Sequence, residues 1–136
     1  MNRALMLFAA LLLSSGLVGA QEAKKLTGAE LQEIASGADG ILFAGGYSIS
    51  YGTSYHVSWF SEGVRKGTRK MYWTNGPQHR VVGGDWRIEG DTVCVKNEND
   101  VSENCNEWRK NGDRIETWSR GVRNGYFYVL PRVSSQ

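Results

Sequence analysis

The apolar positions of this chain follow three successive patterns. Residues 4–13 form one unbroken run, Ala4-Leu5-Met6-Leu7-Phe8-Ala9-Ala10-Leu11-Leu12-Leu13. Further on, Leu31, Ile34 and Ala35 recur at the spacing of one helix face. After Gly40, short stretches rich in aromatic and β-branched residues are interrupted by glycine at close intervals. These stretches predict strands near 41–48, 54–61, 67–74, 79–88, 91–97, 102–109, 113–119 and 125–130. Turns are expected near Gly63, Asn75-Gly76-Pro77, Gly90-Asp91, Asn99-Asp100, Gly112-Asp113 and Gly121, because these residue types suit turn geometry. Many short strands at this spacing predict a mainly β fold. The expected architecture is an antiparallel meander forming a small barrel or strongly curved sheet, with one short N-terminal helix. Closure would remove exposed strand edges.

The helix has a legible start. In Leu26-Thr27-Gly28-Ala29-Glu30-Leu31, Thr27 is placed to cap and Glu30 to complete a capping box. Leu26 and Leu31 sit at the two staple positions around it. Gly37 is the expected stop. Two pairs of segments echo each other. Trp86-Arg87-Ile88-Glu89-Gly90-Asp91-Thr92-Val93 resembles Trp108-Arg109-Lys110-Asn111-Gly112-Asp113-Arg114-Ile115, and Gly63-Val64-Arg65-Lys66-Gly67 resembles Gly121-Val122-Arg123-Asn124-Gly125. Common turn chemistry is the expected cause. Gly83-Gly84, abutting Asp85-Trp86, reads as a bend or bulge.

The first apolar run takes its meaning from its flanks. Met1-Asn2-Arg3 is short and positive, and Val18-Gly19-Ala20 supplies small residues after the run. This is the layout of a secretory signal. Residues 1–20 are expected to be cleaved off after Ala20, leaving 21–136 as a single disulfide-stapled β domain. The run is short of the ~20 apolar residues that span a bilayer. No second run follows, so no stable membrane insertion is expected after cleavage. Export predicts a periplasmic or secreted protein. Cys94 and Cys105 are the two cysteines of the chain, and thiols oxidise in that setting. Folding the chain about Asn99-Asp100 sets Cys94 opposite Cys105 and Lys96 opposite Glu103. Val93 and Val95 then point to the other face, the expected core side.

Charge narrows the partners. Without Arg3, fifteen basic residues stand against fourteen acidic ones, which argues against a dedicated nucleic-acid binder. The charges nevertheless come in blocks. Arg65, Lys66, Arg69, Lys70 and Arg80 are followed by Asp85, Glu89, Asp91, Glu98, Asp100, Glu103 and Glu107, then by Arg109, Lys110, Arg114, Arg120, Arg123 and Arg132. In neighbouring strands, such blocks become cross-strand ion pairs.

No catalytic constellation is spelled out, and no catalytic residue, metal site or cofactor is assigned. His56 and His79 have no ligand-spaced partner. Glu98, Asp100, Glu103 and Glu107 do not follow the order of an EF-hand loop. The chain has no nucleophile elbow and no pair of cysteines at redox-motif spacing. Gly45-Gly46 is not a phosphate loop. Asp85 and Glu116 read as surface charges. The aromatic content is the better lead, with five tryptophans and six tyrosines. Most are expected in the core. Tyr47, Tyr51 and Tyr55 lie in a Gly/Ser-rich stretch and form the expected exposed set, with Arg65, Arg69 and Arg123 as a basic rim. Trp, Tyr and Arg supply most binding hot spots.

The stretch Gly84-Asp85-Trp86-Arg87-Ile88-Glu89-Gly90-Asp91-Thr92-Val93-Cys94 resembles a group of small exported proteobacterial proteins, the domain of unknown function numbered 995. The shared features are an export signal, an opening similar to Leu26-Thr27-Gly28-Ala29-Glu30-Leu31, and a Gly-x-Trp strand leading to a first cysteine. A second cysteine follows, here Cys105, and then a final strand of the Gly125-Tyr126-Phe127-Tyr128 type. The chain departs from that group at 40–46, where Ile41-Leu42-Phe43 stands in place of a tryptophan-rich segment. The resemblance implies a bacterial envelope setting and supplies no catalytic residue.

These readings converge on an exported, non-enzymatic binding or interaction module. Its expected partner is a small molecule, a glycan or an envelope protein, and not nucleic acid. The alternatives are an inhibitor of an envelope or host hydrolase, and a small hydrolase built on barrel-mouth carboxylates.

Overall fold

Antiparallel pairing carries the chain once around a closed barrel. The structure, a computed structural model, describes residues 22–36, 39–49 and 51–129. β1 (Lys24–Lys25) and α1 (Gly28–Ser36) precede eight longer strands. These are β2 (Asp39–Ser48), β3 (Thr53–Ser61), β4 (Lys66–Asn75), β5 (Gln78–Glu89), β6 (Thr92–Asn97), β7 (Asn104–Asn111), β8 (Arg114–Ser119) and β9 (Val122–Val129). Each pairs with the next, and β9 returns to β2, which closes the sheet. The fold is therefore the expected meander barrel with one short helix. The expected export segment and the stop at Gly37 lie outside the described residues. No described helix is long and apolar enough to cross a membrane.

Turn chemistry explains one echo and separates the other. Gly90 and Gly112 open two-residue turns between Glu89 and Thr92 and between Asn111 and Arg114. Their φ angles are 56° and 61°, and positive φ at that position matches the twist of the flanking strands. Trp86 and Trp108, upstream of these turns, are both buried. Gly63 and Gly121 are not equivalent. Gly121 and Arg120 form a tight turn at φ 76° and 51°. Gly63 sits in the longer β3–β4 loop at the opposite end of the barrel.

Strand alternation fills the interior. Val57 and Trp59 of β3, Trp86 and Ile88 of β5, Val93 of β6, Trp108 of β7, Ile115 of β8 and Phe127 of β9 are buried in one cluster. Trp59 stacks on Trp86 at 4.7 Å, and Trp108 meets Phe127 edge-on at 5.0 Å. Leu26, Leu31 and Ala35 bring α1 into the same cluster.

Helix α1 plugs one end of the barrel. Its expected capping box is present: the Thr27 N–H donates to Glu30 Oε2 at 2.9 Å, and the Glu30 N–H donates to Thr27 Oγ1 at 3.3 Å. The Gly28 N–H donates to Asp91 Oδ1 in the β5–β6 turn at 2.6 Å, and Ser61 Oγ donates to the Ala35 carbonyl at 2.8 Å. Arg65 in the β3–β4 loop donates to the Gly90 carbonyl at 3.3 Å. The other end is bounded, among the described residues, by the turns entering β3, β5, β7 and β9.

Cys94 and Cys105 form the expected disulfide, directly opposite each other in the β6–β7 ladder. Val93 is buried on the core side, and Val95 packs against the same core. The expected Lys96–Glu103 pair does not form. Arg87 of β5 takes Glu103 instead, through Nε at 2.9 Å and Nη2 at 2.6 Å. A guanidinium occupies both carboxylate oxygens at once, which a lysine ammonium cannot match. Lys96 acts on Glu103 only through space.

The β6–β7 ladder is the shortest in the barrel. It pairs Val93 with Asn106, Cys94 with Cys105 and Val95 with Asn104. Past that point β6 leaves the edge of β7, and β1 takes it over. Lys24 pairs with Lys110, Lys25 with Arg109, and the Leu26 N–H donates to the Trp108 carbonyl at 2.9 Å. The edge that β6 vacates is thus covered by the residues just before α1.

Candidate functional site

The barrel interior has two levels. The level beside α1 is apolar and filled by the tryptophan cluster. The level toward the far turns is polar. Thr117 Oγ1 donates to Asn124 Oδ1 at 2.5 Å, and Asn124 Nδ2 donates to Asn106 Oδ1 at 3.0 Å. Thr53 Oγ1 is buried there with no hydrogen-bond partner among the described residues.

Arg69 stands between the two levels. It shares its strand face with Met71 and Trp73, so it points inward. Its register partners are Trp59 and Gly84. Arg69 Nη2 donates to Asn97 Oδ1 at 2.9 Å, while Nε is buried and has no hydrogen-bond partner among the described residues. Asn97 ends β6, so the guanidinium reaches toward the far turns. Asn97 is itself held by the loop that follows. Its N–H donates to Asp100 Oδ2 at 3.1 Å, and the Asp100 N–H donates to its carbonyl at 3.0 Å. No carboxylate among the described residues bonds to Arg69. Asp100 acts on it only through space.

Gly84 is required in this arrangement. A Cβ there would lie 2.7 Å from the Lys96 carbonyl oxygen and 3.0 Å from Asn97 Oδ1. Any side chain would therefore push away the atom that accepts from Arg69. Of the bend or bulge expected at Gly83-Gly84, the bulge does not occur, and the strand runs through in unbroken register. The glycine serves close approach instead.

Aromatic rings line the same end of the barrel. Trp73 lies 5.7 Å from Tyr55 and meets Tyr51 edge-on at 5.8 Å. The Tyr55 hydroxyl donates to the Tyr126 carbonyl at 3.3 Å. Burial pushes the Tyr55 hydroxyl up to about 12, against the pull of Arg69. Burial pushes Arg69 down to about 10, with Tyr55 and Asp100 opposing it. Both groups keep their charge state near neutral pH. They offer contacts and a fixed positive charge rather than proton transfer.

Comparison with protein-family models, with curated proteins and with solved structures gave no match.

The six residues singled out from the sequence occupy three places. Tyr51, Tyr55 and Arg69 converge on the polar level. Tyr51 is 75% exposed, while Tyr55 is half-buried against the core. Tyr47 and Arg123 lie on the outer face of β2 and β9. Arg65 lies at the plugged end. Trp73, Asn97 and Asp100 belong with Arg69 and were not singled out. Parity with Met71 was the available signal for Trp73 and for the inward turn of Arg69. Asn97 and Asp100 reach the site through a loop, which alternation does not describe.

The outer face of β7, β8 and β9 carries a second cluster, built on Glu116. This residue was expected to be a surface charge, but it is only 2% exposed. Its strand position does face outward, yet long side chains from β8 itself and from β7 and β9 cover it. Arg114 Nη2 donates to it at 2.6 Å, Arg123 Nη1 at 3.0 Å, Trp118 Nε1 at 3.3 Å and Asn111 Nδ2 at 3.4 Å. Burial alone would raise its pKa, but these donors outweigh that and hold the carboxyl below its usual range. Arg109 lies 4.1 Å over the Trp118 ring, Arg114 lies 4.7 Å over Tyr126, and Tyr47 stacks on Tyr126 at 6.0 Å. Asp85, by contrast, is exposed as expected.

Cys94, Glu103 and Cys105 bring three potential metal-ligating atoms together. Both sulfurs are consumed in the disulfide and Glu103 is bound by Arg87, so the group is structural.

Proposed function

We propose that this chain is a non-enzymatic binding module that takes a small molecule into the polar level of its barrel. The observation that carries this reading is the combination at one end of the barrel. Trp73, Tyr51 and Tyr55 form an aromatic wall beside inward polar groups, while α1 plugs the other end. Barrels of about eight strands are either filled by their own side chains or hold one small ligand. A periplasmic or secreted setting fits the same reading. It draws on the expected export signal, on the disulfide and on the resemblance around Trp86 to Cys94.

The test is uptake of a neutral aromatic probe, phenylnaphthylamine, by the oxidised protein purified from an exporting host. Saturable fluorescence enhancement is expected. Trp73→Ala should weaken it about tenfold, the upper end of what one aromatic contact contributes. Trp118→Ala, on the outer face, should leave it unchanged. Absence of saturable uptake, or equal loss in the two variants, would remove the barrel interior as the binding site.

A second reading has its own observation. Trp118, Tyr126, Tyr128, Arg109, Arg114 and Arg123 gather on one outer face, the residue types that dominate protein interfaces. They favour a protein partner such as an envelope or host hydrolase. A lysozyme-inhibition panel tests it, and inhibition lost in Trp118→Ala but kept in Trp73→Ala is the outcome this reading requires.

A further inference from the structure

We infer that the ligand of the polar level is an anion, an aromatic or conjugated molecule whose acid group docks on Arg69. This rests on the barrel-interior reading and adds the chemical class of ligand. The argument starts from an imbalance. A guanidinium in the barrel wall loses most of its water and needs compensation from within the protein. Arg69 receives one neutral acceptor, Asn97 Oδ1 at 2.9 Å, and its Nε has no partner among the described residues.

The one carboxylate that acts on it across the site, Asp100, is committed elsewhere. Its Oδ2 accepts from the Asn97 N–H at 3.1 Å, within its own turn. Four other arginines of this chain are treated differently. Arg87, Arg109, Arg114 and Arg123 each hold a glutamate within 3.0 Å. Arg69 shares a buried, partnerless Nε with Arg109, but Arg109 has Glu107 as its counter-charge while no carboxylate among the described residues bonds to Arg69. Gly84 keeps Asn97 where it holds one edge of the guanidinium, which orients the fork before a ligand arrives. A planar acid matches that fork, since carboxylate-type groups accept two parallel N–H bonds from one guanidinium. Tyr55 acts on Arg69 through space, and Trp73, packed against Tyr55, extends the apolar surface toward the far turns.

The experiment compares two probes that differ by an acid group: anilinonaphthalene sulfonate and phenylnaphthylamine. The sulfonate should bind at least tenfold tighter. Arg69→Met should abolish that preference, bringing the sulfonate to the affinity that phenylnaphthylamine shows in the same variant. Arg69→Lys should keep part of it. In the unmutated protein, side-chain NMR signals of the Arg69 guanidinium should shift with the sulfonate and not with the amine. This last measurement decides the matter if the Met variant fails to fold. Equal affinity for both probes, an unchanged preference in a folded Arg69→Met, or unshifted guanidinium signals would overturn the anion while leaving the barrel as a binding site. Failure of both probes to bind would overturn the barrel reading and the anion with it.

Discussion

Glu116 shows how far a single residue can depart from what its sequence position suggests. Alternation along β8 sends it outward, and it does point outward. Its burial comes from Arg114, Trp118 and Arg123, which fold over it from β8 and β9. Arg114 and Trp118 share its face two residues away on the same strand, but the arrival of Arg123 depends on which strand lies beside β8. The carboxyl is held below its ordinary value of 4.5. A depressed carboxyl contributes stability that is present above its unfolded pKa and lost as pH falls through its folded one. Resistance to unfolding by urea should therefore weaken on acidification below about pH 4.5. Glu116→Gln should cost about 1–3 kcal/mol at pH 7, because two arginines lose their counter-charge. The same variant should show a shallower fall in acid. A parallel acid slope in variant and parent would show that Glu116 is not depressed. Glu103 and Glu107 are lowered too, by Arg87 and by Lys25 respectively, so the slope should be reduced rather than abolished.

At the scale of elements, α1 is short and depends on what it covers. A helix of this length is not stable alone in water. Its stability comes from Leu31 and Ala35, both 0% exposed, and from the cap at Thr27. Leu31→Ala should cost about 2–5 kcal/mol, as a buried leucine in a packed core does. Thr27→Ala should cost about 1 kcal/mol. Urea unfolding of the two variants checks the order, and a larger loss from the cap than from the plug would contradict it. The same elements show what the sequence could reveal. Glycine and Asp/Asn positions marked the two-residue turns, and cysteine spacing set the β6–β7 register to the residue. The two-residue β1 is too short to carry any pattern. The Lys96–Glu103 expectation considered one hairpin alone, and it failed because Arg87 arrives from the next strand over. At the candidate site, the aromatic types were legible. Their division between interior and outer face was not, because β2 shifts register twice against β3.

The whole molecule is a closed sheet with one seam unlike the rest. Between β6 and β7 the ladder has three residue pairs, and the disulfide sits in the middle one. Between the other neighbouring strands of the barrel the pairing is longer, up to the run from Lys66↔Arg87 to Asn75↔Gln78. A barrel opens by local fluctuations drawn from its least stable segments. The covalent link thus acts as a latch on the one joint with least hydrogen bonding of its own. Closing so short a loop contributes ~3 kcal/mol in the chain-entropy model. Its effect on breathing should be concentrated rather than global. With the bond intact, amide hydrogen exchange in Val93 and Val95 should be as slow as in the long β4–β5 pairing. After reduction, those amides should speed up first, before β4 or β5 responds. Uniform acceleration around the sheet would mean that the bond stabilises the fold without guarding any one joint. Because Asn97 and Asp100 lie immediately beyond this joint, reduction should also loosen the hold on Arg69. The oxidation state of a single cystine would then reach the inside of the barrel.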